Sequence, residues 1–385
     1  MMPSHRIKKT GTPSFRRRPE VSERARLRSS VLRLLRKGWT PAFAGVTTCC
    51  EPSMNKVQPL RVRGLEISPP LFLAPMAGLT HSALRRLILE QGGIGLLSTE
   101  MLSAKRLPME NAALSPYLVR APQEIPLSYQ LLVSRVEEVA PAIAKLHALQ
   151  AEAIDLNLGC PAPTVRRMGA GSRLMEEPAS VRAIVAEARK HTDLPLTAKI
   201  RLGETLDEDK LRDFCRMLEG EGIDLLNVHA RLRGEPFVRK PRWPWVGKVK
   251  SWVNIPVVAN GGIFSVEDAK NCLAQSGADG LMIGRGAAIR PWIFAELAHA
   301  VYGKGKEVGE VSKPALYLRF IELLEESFLP ERRLGRLKEF SHYFAKNYPF
   351  GHHFASGVQS SGSVDQARER ACAFFAKSEA PAGDH

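Results

Sequence analysis

Residues 155–175, DLNLGCPAPTVRRMGAGSRLM, place one thiol, Cys160, just after a short apolar run and ahead of a proline and a glycine-broken loop carrying Arg166 and Arg167. A free cysteine is most often a small buried hydrophobe. That reading fits Cys215, Cys272 and Cys372, which sit on helical segments, better than Cys160, which follows a strand end. Two other stretches, NGGIFS after Ala259 and GRGAAI after Ile283, have the glycines that let backbone N–H groups approach an anion, and the second adds Arg285. Lys199 and His229 end apolar runs, where an unpaired buried ammonium is costly and a cation is better employed facing an anionic ligand. Tight-turn glycines, a surface arginine and a satisfied core histidine are the bland alternatives for these groups taken singly.

The elements that must position these residues form a regular alternation. Short apolar runs read as strands at 71–76, 94–99, 125–130, 153–158, 194–200, 223–229, 255–260 and 279–284, with segments of helical period between them, such as SRVEEVAPAIAKLHAL and SVEDAKNCLAQSG. Eight βα units in about 230 residues match the size of a (β/α)8 TIM barrel. A doubly wound open sheet is the rival fold, but it carries a GxGxxG turn after its first strand, and here that turn reads APMAGLT. Barrel enzymes place their chemistry at the C-terminal ends of the strands. The polar groups found there are Met76, Glu100, Gln130, Asn157 with Cys160, Lys199 with Arg201, His229 with Arg231, Asn260 with Gly261 and Gly262, and Gly284 with Arg285. The turns after the seventh and eighth strands are the usual phosphate site of such barrels. Lys199 and His229 at the same mouth suit the anionic ring carbonyl region of a reduced flavin, and Gln130 suits a hydrogen bond to that ring.

The chain has 385 residues, a net charge of +15 and 44% apolar residues, an ordinary globular composition. No apolar run reaches the roughly 18 residues that a membrane span needs. The six cysteines form no CxxC pair and no metal-like spacing with histidine, so neither a disulfide framework nor a metal site is expected, and a reducing cytoplasm fits best. Residues 1–53 carry twelve Lys and Arg against Glu20, Glu23 and Glu51, so +9 of the charge sits there and +6 on the remainder. This leader reads as a disordered or non-native extension; a transit peptide and an RNA-binding arm are the alternatives. A domain opens at Met54, and the barrel is expected over 54–305. From Lys313 the character changes. LYLRFIELLEESFL and RLGRLKEFSHYFAKNY have helical apolar spacing with Arg332, Arg333, Arg336, Lys338 and Lys346 between, which predicts a helical domain over 313–377; residues 351–362 read as a loop and 378–385 as a disordered tail.

APMAGLT, LNLGCPAPTVRRMGAGSRLM, KIRLG, VHAR, VVANGGI and DGLMIGRGA together resemble the successive motifs of the bacterial tRNA-dihydrouridine synthases, in the family's order. The resemblance is strong over residues 70–300 and looser through the C-terminal helices. It implies an FMN-dependent reductase of uridine in the D-loop of tRNA, with NADPH or NADH as electron donor, and no obligate protein partner. It carries FMN contacts to Pro75, Met76, Ala77, Gln130, Lys199, His229, Asn260, Gly261, Gly262, Gly284 and Arg285. The family's catalytic cysteine corresponds to Cys160 and its uracil-side asparagine to Asn157; Arg166, Arg167 and Arg231 are expected on the substrate. Segment 232–243 departs from the commoner pattern. An ordinary thiol, with a pKa of about 8.5, is mostly protonated near neutral pH yet acidic enough to give up a proton, which suits Cys160 as the acid that protonates C5 after hydride reaches C6. Gly169 and Gly171 allow its loop to move. A flavin reductase of a free pyrimidine, similar to dihydroorotate dehydrogenases, is the nearest rival, and a non-catalytic tRNA-binding protein on the same barrel is another; neither explains the helical appendage and the strand-end set together.

Overall fold

The computed structural model describes residues 58–378. The expectations for the leader and for the tail after Ser378 lie outside the described residues, as do Cys49 and Cys50. Helices and strands of the described chain belong to one compact unit.

A two-stranded hairpin, β1 (Leu60–Val62) and β2 (Leu65–Ile67), comes first and was not foreseen. Val62 and Ile67 pack with Phe72, Leu225, Val258 and Met282, so the hairpin closes one end of the barrel with apolar side chains. The eight strands that follow are β3 (Leu71–Leu73), β4 (Leu97–Ser103), β5 (Leu127–Leu132), β6 (Ala153–Asn157), β7 (Leu196–Arg201), β8 (Leu225–His229), β9 (Val257–Asn260) and β10 (Gly280–Ile283). Each pairs in parallel with the next, and β10 pairs with β3. Between β3 and β4 the ring closes through a parallel bridge of Phe72 with Leu96. The architecture is a TIM barrel with a helical C-terminal region, as the alternation predicts.

All eight strands differ from their expected bounds by one to four residues at an end, and the two largest differences have local reasons. Strand β3 stops early because Pro75 has no N–H to extend the ladder. Gly95 and Leu96 serve the closing seam, where Gly95 approaches the Pro69 carbonyl so closely that an added Cβ would stand 2.0 Å from the oxygen. Strand β4 therefore begins at Leu97 and encloses Glu100 instead of ending before it.

The barrel helices are α1 (Ser82–Gln91), α2 (Val139–Ala148), α3 (Pro163–Arg167), α4 (Pro178–Lys190), α5 (Glu208–Gly220), α6 (Trp243–Trp252), α7 (Val266–Ser276), α8 (Arg285–Ile289) and α9 (Ile293–Tyr302). Helix α7 shows why the sequence folds this way: Ser265 caps it by accepting from Asp268 N, acids fill its first turn, and Gly277 ends it at φ +58. Outward strand residues such as Leu156, Ala198, Ile200, Leu226 and Val228 meet the apolar faces of these helices in the main core.

The last four helices, α10 (Lys313–Ser327), α11 (Arg333–Phe344), α12 (Gly351–Gln359) and α13 (Val364–Ser378), pack around Tyr317, Phe320, Phe340, Phe344, Phe354 and Phe375. Helix α12 corrects the loop expected at 351–362. Phe354 and Val358, four apart, bury one face of it, and Gly351 is needed because an added Cβ would meet Ala345 O at 1.9 Å. Cys215 and Cys272 are buried as expected, whereas Cys372 is exposed. Helix α10 lies on α1, joined at the surface by Arg319 with Glu90 (2.8 Å) and Arg86 with Glu326 (2.5 Å).

Candidate active site

Inward-facing residues of β5 and β6 form one wall of a cavity at the C-terminal barrel mouth. Asp155 is buried, and its Oδ2 accepts from Gln130 Nε2 (2.6 Å), while Oδ1 accepts from Thr197 Oγ1 and Asn227 Nδ2 (3.3 Å). Gln130 Oε1 accepts from Asn157 Nδ2 (2.8 Å), and Asn157 Oδ1 accepts the backbone N–H groups of Gly159 (3.2 Å) and Cys160 (2.9 Å). A carboxylate at one end only accepts and backbone N–H groups at the other only donate, so the direction of both amides is set from both ends. Burial holds the Asp155 carboxyl above its ordinary range, against the donors around it. The Cys160 turn is tightened by Ser172 N, which donates to Cys160 O (3.0 Å), and by Gly171 at φ +63, where an added Cβ would clash with that same carbonyl at 2.7 Å.

The opposite wall, from β7 to β10, is cationic. Lys199 Nζ donates to Asn260 Oδ1 (2.9 Å), and Asn260 Nδ2 donates to Met282 O (2.7 Å). Burial, helped by Arg201, lowers the Lys199 ammonium to about 8 against the opposing pull of Asp155. Arg201 donates to Gly159 O (3.0 Å) and Leu232 O (2.9 Å), tying this wall to the Cys160 turn. His229 Nε2 accepts from Arg231 Nη1 (3.0 Å), which makes Nδ1 the protonated nitrogen; burial and the surrounding cations hold its pKa well below the usual histidine value, so the ring is neutral. The Arg285 guanidinium lies over Phe237 (4.3 Å) and Phe264 (5.4 Å). Among the described residues none of Lys199, Arg201, Arg231 and Arg285 has a carboxylate ion-pair partner. Cations gathered without a carboxylate are the donor set for an anion. Gly261 and Gly262, at φ +105 and +77, present their backbone beside it.

The cavity between the walls, about 350 Å³, brings together Pro75, Met76, Ala77, Gln130, Asn157, Cys160, Lys199, His229, Asn260, Gly261, Gly262, Gly284 and Arg285. Arg166 and Arg167 stand exposed on α3, outside its lining. Arg231, expected on the substrate, lies outside the cavity lining: it is 2% exposed, and its guanidinium donates to Arg239 O (2.6 and 3.0 Å), Phe237 O (3.3 Å) and His229. Sequence reasoning missed Phe237 and Tyr343, which line the cavity, and Asp155 and Asn227 below it. Asp155 was within reach, since it shares the inward face of β6 with Asn157 two residues on. Among the described residues no cluster of His, Cys, Asp and Glu is arranged to hold a metal, and no helix is long and apolar enough to cross a membrane.

An eight-stranded α/β barrel with its strand-end polar residues collected around one anion-ready cavity has the architecture of a barrel enzyme. The chain belongs to the dihydrouridine synthase family, whose model matches residues 72–380. Similar proteins include "Probable tRNA-dihydrouridine synthase 1" of Synechocystis sp., 32% identical over 76% of this chain and 82% of that protein. The tRNA-dihydrouridine(16) synthase of Aquipseudomonas alcaligenes is 35% identical over 72% of this chain and 91% of its own length, and tRNA-dihydrouridine synthase B of Escherichia coli is 34% identical over 66% and 78%. In solved structures the fold resembles that of a 6-hydroxypseudooxynicotine amine oxidase from Pseudomonas geniculata N1, with a TM-score of 0.51, 10% identity and 64% and 50% of the two chains covered. The family is one of oxidoreductases, and the protein is an enzyme of that class.

Proposed function

We propose that the protein reduces the C5=C6 bond of a uridine in the D-loop of tRNA to 5,6-dihydrouridine, with FMN as cofactor and NADPH as the source of electrons. The observation that carries this reading is the meeting in one cavity of Cys160 with the unpaired cations and the glycine turns. Reduced FMN bound there would supply the hydride that C6 of the uracil receives. Gly261, Gly262 and Gly284 with Arg285 would hold its phosphate, Lys199 and the Nδ1–H of His229 would hold its other anionic or carbonyl groups, Pro75, Met76 and Ala77 would flank its ring, and Gln130 would offer the N–H it has left. Cys160 gives the proton of its thiol to C5, which completes the addition of two hydrogens across the bond. Asn157 has a single unspent N–H, the donor that a uracil carbonyl needs.

The base must be turned out of the RNA to reach this cavity, at a cost of a few kcal/mol. Arg166 and Arg167, exposed beside the Cys160 loop, meet the phosphates on either side of it. Arg231 is a positioning residue, setting the His229 tautomer and the loop that carries Phe237. We assign residues 54–305 to the FMN-binding barrel and 313–377 to helices that hold the tRNA backbone, with Arg332 and Lys346 exposed for that purpose, and place the enzyme in the cytoplasm.

The test is the visible absorbance of the purified protein, then NADPH oxidation with and without unmodified tRNA. A flavin spectrum with tRNA-dependent oxidation and dihydrouridine in the product is the expected result. Turnover on a free pyrimidine alone, or a colourless protein that binds tRNA, would overturn it.

A further inference from the structure

A second cavity, about 720 Å³, opens between β4 and α11 and shares Ala77 and Met101 with the catalytic one. At its inner wall stands Glu100, only 6% exposed. Its Oε2 accepts the N–H of Gly78 (2.5 Å), whereas Oε1 has no hydrogen-bond partner among the described residues. A buried carboxylate oxygen left unmatched is costly, and a donor brought by a ligand would remove that cost. At the rim Arg106 and Arg332 are exposed and have no ion pair among the described residues, Glu110, Glu331 and Glu339 share the lining with them, and Tyr117 is 47% exposed. An acceptor at depth, an aromatic face and arginines at the rim match, in that order, a base amino group, a base ring and the phosphates that flank it.

We propose that this cavity holds the nucleotide next to the target uridine and favours a base with an exocyclic amino group, such as adenine or cytosine, over uracil. The proposal rests on the reading of the catalytic cavity as a tRNA-uridine site. Because the two cavities share part of their walls, a base turned into one leaves its neighbour at the entrance of the other.

The experiment measures KM and kcat for dihydrouridine formation on unmodified transcripts in which each neighbour of the target uridine is varied, using the native enzyme and Glu100→Gln. In the variant the amide oxygen keeps the Gly78 N–H, so an NH2 group replaces Oε1 and the cavity offers a donor instead of an acceptor. The native enzyme should show a KM about tenfold lower for adenine or cytosine than for uracil at one of the two positions, and Glu100→Gln should reverse that order. An unchanged order in the variant, or no preference at either position, would overturn the proposal. Should Glu100→Gln fail to fold, Arg106→Ala and Tyr117→Leu at the rim should each raise KM for tRNA about fivefold with kcat retained; an unchanged KM, or a rise in KM for NADPH instead, would overturn it equally. Absence of product from the native enzyme on every transcript would overturn the reading of the catalytic cavity, and this proposal with it.

Discussion

The two walls of the catalytic cavity are built on different principles. Along β5 and β6, Asp155, Gln130 and Asn157 hydrogen-bond to one another and to the Cys160 turn, so the wall is held largely within itself, with one N–H left on each of Gln130 and Asn157. Along β7 to β10, Lys199, Arg201 and Arg285 rest on amide and carbonyl oxygens and aromatic faces, without a carboxylate ion-pair partner among the described residues. A self-satisfied wall keeps its shape whatever is bound and is suited to holding a reactive group at a fixed place. A wall of uncompensated cations stores unfavourable charge that a bound anion relieves, so it is suited to affinity. On the proposed reading the difference divides labour: the amide wall places the thiol and lends the cofactor one N–H from Gln130, and the cationic wall supplies most of the cofactor's affinity.

Cys160→Ala is the strongest way to break this division. Dihydrouridine formation on unmodified tRNA should fall by about 100-fold or more, in line with the loss of a general acid, while the flavin absorbance stays. Loss of flavin together with activity would show that the amide wall also carries affinity. Lys199→Met is the converse. Removing a charged donor should weaken FMN binding by about 10- to 100-fold, read by quenching of FMN fluorescence on titration into flavin-free protein. An unchanged affinity would remove the cationic wall from the binding account.

A change at the turn after β9 tests how tightly the cationic wall is built. At Gly261, φ is +105 and an added Cβ would stand 2.6 Å from His229 Cδ2 and 2.7 Å from its Nε2. Gly261→Ala should therefore cost about 1–3 kcal/mol of stability and lower Tm by several degrees. A Tm equal to that of the native protein would mean that the turn and His229 move apart freely. The pH dependence is a gentler probe. Burial makes the charged ammonium of Lys199 unfavourable, so its proton leaves at about 8: the group is a cation below that pH and neutral above it. The FMN dissociation constant should rise by several-fold between pH 7 and pH 9, and Lys199→Met should abolish that rise. An equal rise in both proteins would assign the titration to another group.

Much of this arrangement was legible from the order of residues, and the parts that were not share a cause. Period-two alternation places Asn157, Lys199, His229 and Asn260 on the inner face of their strands, because a residue at the end of a parallel strand whose neighbours are Ala, Ile, Val and Leu has the barrel mouth as its only polar surrounding. Glu100 was misplaced because the register of β4 is decided by the closing seam at Gly95 and Leu96, a contact with β3 that no local pattern announces. Helix α12 was hidden by its glycines and histidines, since its helical state comes from burying Phe354 and Val358 in the aromatic bundle. The partners of Arg231 were hidden for a similar reason: which carbonyls a guanidinium finds depends on how segment 232–243 folds back over β8.

The two walls touch electrostatically at Asp155, which belongs to the amide wall by its bond to Gln130 and reaches the cationic wall through Thr197 and Asn227. Its charge is one influence that raises the Lys199 pKa against burial. Asp155→Asn keeps an acceptor for Gln130, and its new NH2 donates to Thr197 Oγ1 and, once the Asn227 amide turns over, to Asn227 Oδ1, which has no partner among the described residues. The hydrogen-bonded wall thus survives the substitution while the charge is lost, which separates the two roles of the residue. With that charge gone, the proton on Lys199 leaves at a pH below 8, and the midpoint of the pH-dependent FMN affinity should move to lower pH, with a change of less than about threefold at pH 6.5 where the ammonium stays charged in both proteins. A midpoint that does not move would mean that the amide wall and the cationic wall are electrically independent. Asp155 would then be retained for hydrogen bonding alone, a task that asparagine could perform.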